Sequence, residues 1–191
     1  MNGEKKKIKI LIKEFVLEFL KILIISLAIV LPIRYFLIQP FYVKGASMEP
    51  SFYDYEYLII DEISFRFREP QRGEIIVFHS PYNPRDYYIK RIIGLPEERI
   101  VIKNGEIYLY NQQFPQGMNL NESQYLEPGT RTPGSLDLFL GPEEYFVLGD
   151  NRNSSLDSRN FGSILRKNII GRVWLRGWPI DRIKKFEIPI Y

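Results

Sequence analysis

The 191-residue chain has no cysteine and one histidine, His79. The first lack excludes disulfides, and together they leave too few ligands for a structural zinc site. A histidine-based catalytic triad would have to be built on His79 alone. Charge of one sign is also scarce: a formal net charge of +3 is too mild to imply a nucleic-acid partner, and no basic-aromatic stripe marks an RNA-binding sheet. Long apolar runs are missing as well. Ile22 to Ile33, between Lys21 and Arg34, is shorter than the roughly 20 residues that cross a bilayer. What is present is 45% hydrophobic and 15% aromatic residues, which excludes a disordered chain.

The positive charge gathers at the start, where Lys5, Lys6, Lys7, Lys9 and Lys13 precede the apolar run. If Lys21 and Arg34 extend their charged ends to the headgroups, residues 15–38 become long enough to span. A cleaved leader is the competing reading, but no Ala-x-Ala-like site follows the run. A helix lying on the membrane surface is the third. The expectation is a single uncleaved span over 15–38, with residues 1–14 cytoplasmic and residues 39–191 outside.

After Pro40 the helical periodicity stops. Short runs rich in β-branched and aromatic residues follow: FYVKG, YLIIDEISF, GEIIVFHS, DYYIKRIIGL, RIVIKNGEIYLYN, EYFVLGD and IIGRVWLRGWP. Turn residues separate them, which predicts a mainly β, antiparallel domain over 39–191. Asn104-Gly105 supplies the positive φ angles of a type I′ hairpin turn. Residues 111–141, rich in Gly, Pro, Asn and Ser, read as a loop-like insertion.

One serine stands out in GASMEP: Ser47, between small residues just after the apolar segment. A serine hydroxyl is a poor nucleophile until a base takes its proton, and a neutral lysine in an apolar setting can serve. Lys90 in YYIKRIIGLP fits, because strand alternation puts it on one face with Tyr88 and Ile92. A lysine in a strand is more often a solvated edge residue, and GASMEP alone is more often a turn. The third segment, GDNRNSSLDSRNFG, crowds Asp150, Arg152, Asp157 and Arg159 together, as a solvated loop or as a paired scaffold.

These segments in this order behind an apolar anchor resemble the bacterial type I signal peptidases, membrane-bound serine/lysine proteases. RGEIIVFHSP is a further segment of that pattern, and the resemblance covers nearly the whole chain. It implies a signal-peptidase-type β domain behind one transmembrane helix. It also implies a reaction without cofactor or metal, the removal of signal peptides from exported preproteins at the plasma membrane. Ser47 is then the nucleophile and Lys90 the general base, with Ser155 orienting the lysine amine. Arg91 with Asp150 and Arg159 with Asp157 match ion pairs beside the site. Gly149 matches a glycine whose side chain would crowd the lysine.

Two departures stand out. Gly45 replaces a serine that binds the oxyanion in some members, which leaves the hole to backbone at Gly45 and Ser47 or to water. GLPEER stands where Gly-Asp often follows the proline. Substrate is expected along Phe41–Lys44 and Asp86–Ile89, in shallow pockets near Val43, Met48, Tyr88 and Ile89. Met48, Phe52 and Tyr53 are an expected lipid-facing rim, with Phe52 and Tyr53 equally readable as core or interface residues. The partners implied are signal peptides and the lipid bilayer, not nucleic acid. Two alternatives stand beside this one: a self-cleaving Ser/Lys regulator related to the SOS-response repressors, and a non-enzymatic membrane-tethered β domain.

Overall fold

The structure, a computed structural model, describes residues 2–36, 38–189 and 191, with side chains described for 10–31, 40–189 and 191. Lys5, Lys6, Lys7, Lys9 and Arg34, the charges that frame the expected span, lie outside the described side chains. The chain forms two units, Met1–Ile38 and Gln39–Tyr191. The first is the helix α1, Asn2–Phe36. Its described apolar side chains, from Ile10 to Leu31, are all exposed. Among the described residues no helix is long and apolar enough to cross a membrane. Lys13, Glu14, Glu18 and Lys21 interrupt that stretch.

The second unit is mainly β. Its strands are β1 (Ile38–Tyr42), β2 (Tyr57–Asp61), β3 (Ile75–His79), β4 (Tyr87–Gly94), β5 (Arg99–Lys103) and β6 (Glu106–Tyr110). Then come β7 (Met118–Asn119), β8 (Leu136–Phe139), β9 (Glu144–Leu148), the short helix α2 (Ser158–Phe161) and β10 (Ile164–Leu165). The long β11 (Ile169–Trp178) and β12 (Lys184–Lys185) complete it. The larger sheet runs β1-β2-β11-β3-β4-β9-β10, with β12 on β11, and the smaller runs β7-β6-β5-β8. Each register described is antiparallel.

Burial explains the strand sequences. In β5 and β6 buried and open residues alternate, as in a sheet with one covered face. Strand β3 is buried almost throughout, because both faces are covered. Ile75 and Val77 pack with Val43, Met48, Phe52, Leu58, Ile60 and Val173 on one side. Ile76 and Phe78 pack with Ile92, Tyr145, Val147 and Ile164 on the other. The β5–β6 turn is as expected, with Asn104 at φ 55° and Gly105 at φ 82°.

Residues 111–141 depart from the expected loop. They contain β7 and β8, and β8 pairs with β5 along its length. The alternation in LDLF is too short, between Gly134 and Gly141, to stand out from its turn-rich surroundings. The FYVKG run also departs, since strand β1 starts earlier and stops at Tyr42. Gly45 then turns the chain at φ 90°, with its N–H held by Asp54 Oδ1 at 2.9 Å.

Candidate active site

Ser47 opens a tight turn at the end of this excursion. Phe52 N donates to the Met48 carbonyl at 2.9 Å, so residues 48–52 close on themselves. Met48 and Phe52 are fully buried in the core. Burying a side chain of this size contributes roughly 1.5–3 kcal/mol, so these two pin the turn. Phe52 thus takes its core alternative, whereas the burial of Met48 corrects its expected place in a lipid-facing rim and near a substrate pocket. The apolar content of SMEPSF anchors the serine from below. Tyr53 remains on the surface, with the Arg182 guanidinium 4.3 Å over its ring.

The partner comes from β4. Strand β9 pairs with β4 only as far as Arg91 and Leu148, so Lys90 lies just past that strand's end. Lys90 is 4% exposed, and its Nζ lies 2.7 Å from Ser47 Oγ and 2.9 Å from the Ile89 carbonyl oxygen. Burial pushes its pKa down to about 8, against the upward pull of Asp157 and then Asp150. Lys90 is therefore not a solvated edge residue. His79 lies at the far end of β3, with Nδ1 2.7 Å from the Pro84 carbonyl oxygen and its ring against Tyr87.

Two ion pairs, one buried and one partly open at its arginine, hold the segments together. Arg91 donates from Nε and Nη2 to Asp150 at 2.9 and 2.7 Å, and from Nη1 to the Gly73 carbonyl at 2.8 Å. Asp157 caps α2 and accepts from Arg159 Nε and Nη2, both at 2.8 Å. Its Oδ2 also accepts from Gly149 N at 3.1 Å. A Cβ on Gly149 would overlap Ser155 Oγ and the Ser47 carbonyl oxygen. The glycine thus makes room first of all for Ser155 and the Ser47 backbone. Asn151 N in turn donates to the Ser47 carbonyl at 3.1 Å.

Ser155 Oγ is buried but bonds to no described protein atom, so the expected bond to Lys90 Nζ is not made in this arrangement. The Gly45 N–H, spent on Asp54, is not free for an oxyanion. Several contributors had no sequence signal. Ser51 Oγ donates to Asp150 Oδ2 at 2.5 Å, and its carbonyl accepts from Arg176 Nη1 at 3.0 Å. Arg176 is itself buried against Glu56 at 3.0 Å. Tyr125 covers Arg91, and Leu156 overhangs the serine's cavity. Each meets its partner across long stretches of chain, where no local period can show it.

Beside the pair lies a largely apolar cavity of about 250 Å³. Val43, Leu58, Val77, Tyr88, Ile89 and Leu156 line it with Ser47 and Lys90, and Met48 does not. A serine hydroxyl and a buried amine in hydrogen-bond contact beside a small apolar cavity are the parts that acyl transfer on a serine needs.

Residues 16–178 match the family described as "Signal peptidase, peptidase S26". A probable signal peptidase I-2 of Synechocystis sp. is 36% identical over 87% of this chain and 75% of its own length. Signal peptidase I P of Bacillus subtilis subsp. natto is 34% identical over 96% of this chain and 97% of its own. A signal peptidase I crystal structure from Enterococcus faecalis V583 is 30% identical over 56% of this chain and 97% of that one, with a TM-score of 0.45. On the match over most of its length, the chain belongs to the signal peptidase family, peptidase S26, as a serine endopeptidase that removes signal peptides.

Proposed function

We propose that Ser47 and Lys90 form the catalytic dyad of this peptidase, in a chain anchored in the plasma membrane by residues 15–38 with residues 39–191 on the outer face. The approach of Lys90 Nζ to within 2.7 Å of Ser47 Oγ in a buried setting carries the first part. Neutral Lys90 takes the Ser47 proton as Oγ attacks the carbonyl carbon of the scissile peptide. The resulting oxyanion is received by the Ser47 N–H, and Gly45 leaves its approach open, since nothing lies within 4 Å of where its Cβ would be. Lys90 then gives the proton to the leaving amine, and the peptide's acyl group stays on Ser47. Lys90 next deprotonates a water that attacks the ester, and Ser47 regains its proton.

Ser155 is the lysine-orienting group in this reading. A neutral amine that accepts from Ser47 has two N–H bonds to place. Ile89 O takes one, and the unsatisfied Ser155 Oγ suits the other. Arg91–Asp150 and Arg159–Asp157 are structural pairs that brace the segments on either side.

Substrate lies extended along Phe41–Lys44 and Asp86–Ile89. The cavity walled by Val43, Tyr88 and Ile89 admits small side chains, which fits an Ala-x-Ala preference. The anchor reading uses snorkelling at Lys21 and Arg34 to extend the span past the interrupted stretch. Lipid contact outside the anchor falls to exposed aromatics near one end of β2 and β11. Tyr57 pairs with Trp178, and Ile180 and Ile183 follow it on the surface. Tyrosine and tryptophan favour the interface.

The direct test is a preprotein carrying an Ala-x-Ala site, incubated with the detergent-solubilised protein. The wild type should release the signal peptide, and Ser47→Ala and Lys90→Met should not. Normal cleavage by Lys90→Met would remove the dyad.

A further inference from the structure

Arg91, one residue beyond Lys90, is buried and directs its charge to the opposite side of β4. Its guanidinium grips two segments at once: Asp150 through two bonds, and Ser51 Oγ at 3.3 Å, which itself donates to Asp150. Ser51 belongs to the Ser47 turn. Asp150 adjoins Gly149 and Asn151, which pack against and bond the Ser47 carbonyl. The spacing of Ser47 from Lys90 therefore passes through one guanidinium.

That guanidinium is covered by a residue of the 111–141 segment. The Arg91 Cζ lies over the Tyr125 ring, 3.9 Å from its centre, a cation–π contact inside a desolvated site. Burial first, then Glu122 and Tyr191, keep the Tyr125 phenol protonated far above the ordinary tyrosine range. It is thus a donor, to Glu122 Oε1 at 2.6 Å. Glu122 holds the buried Arg152 through two bonds of 2.7 and 2.5 Å, and Arg152 Nε donates to the Gly149 carbonyl at 3.0 Å. Tyr191 Oη approaches Tyr125 Oη at 3.2 Å, so Tyr191 backs the same ring. One tyrosine therefore touches the Arg91 guanidinium and, through Glu122, reaches that of Arg152.

We propose that Tyr125 is a positioning residue for the reaction: its ring clamps Arg91 while its hydroxyl, through Glu122 and Arg152, steadies the Gly149 carbonyl, so the 111–141 segment sets the geometry of Ser47 and Lys90. The inference rests on the dyad reading above. It also bears on pH dependence. Asp157 and Asp150, from the segment after β9, face the Lys90 ammonium, with Ser47 across from it and the Tyr88 ring 5.8 Å away on its own strand. Asp150, Tyr125 and Tyr191 face Arg91. A loosened Arg91 neutralises Asp150 less well, and Lys90 then holds its proton to higher pH.

The experiment measures kcat and KM against pH for the full chain with a precursor peptide, in wild type, Tyr125→Leu, Tyr125→Phe, Glu122→Gln and Lys90→Met. Misplacing reacting groups by about 1 Å can cost roughly 10²-fold, so Tyr125→Leu should lose on the order of 10- to 100-fold in kcat with KM little changed. Its acid limb should also move to higher pH. Tyr125→Phe keeps the stack and should restore the wild-type inflection. Should Tyr125→Leu fail to fold, Glu122→Gln must still lower kcat without raising KM.

Wild-type kcat and inflection in folded Tyr125→Leu, or in Glu122→Gln where the leucine variant does not fold, would overturn the inference. So would a change in melting temperature alone. Turnover by Lys90→Met would overturn the dyad itself, whatever the tyrosine does.

Discussion

Lys90 is a lysine whose neighbours decide its chemistry. Exposed, it would be a surface charge on a strand. Buried beside Ser47, it holds its proton more weakly, with a pKa pushed down to about 8. The alternation of YYIKRII was enough to separate its face from that of Arg91, and the contact of Lys90 with Ser47 agrees. The ion pairs Arg91–Asp150 and Arg159–Asp157 were legible only through the resemblance, and the structure shows both. Ser51 was not legible, because a serine four residues past Ser47 carries no mark of the carboxylate it meets 99 positions later. The Asp157 carboxylate is wholly buried and also caps α2. Asp157→Ala would strand Arg159, and breaking a buried pair costs roughly 3–5 kcal/mol. Thermal unfolding should show a lower Tm with activity lost in parallel. A fully stable but inactive Asp157→Asn protein would instead place the carboxylate in the chemistry.

At the scale of elements, β4 presents Lys90, the proposed base, and the turn over residues 47–52 presents Ser47, the proposed nucleophile. Strand β11 braces that turn from the other side, since Arg176 holds both the Ser51 carbonyl and Glu56. Strand order was not visible in the sequence: β11, near the chain's end, inserts between β2 and β3. The strands with alternating or apolar β-branched runs were legible, and the two-residue strands β7, β10 and β12 were not. So short an element has no period to read. Arg176→Leu should free the Ser51 carbonyl and leave the buried Glu56 with Arg182 alone. The expected result is a loss of roughly 3 kcal/mol or more in denaturant unfolding, with kcat falling among the molecules that remain folded. Unchanged stability would show that Arg182 alone can satisfy Glu56.

For the whole molecule, the proposed order is a basic start inside, an anchor over 15–38 and a β unit outside. Protease added to intact spheroplasts should then digest residues 39–191 and spare a tag at Met1. Protection of the β unit would contradict the outer-face topology. The proposed dyad is also a property of the whole fold, because the burial that depresses Lys90 is supplied by strands and loops from across the chain. Its most direct test is the pH dependence of kcat/KM. Only unprotonated Lys90 can accept the Ser47 proton, so the rate should climb about tenfold per pH unit below the lysine's pKa and level off above it. The account places that inflection at about pH 8. An inflection near the ordinary histidine value of about 6.5, with a flat rate from there through pH 8, would contradict it.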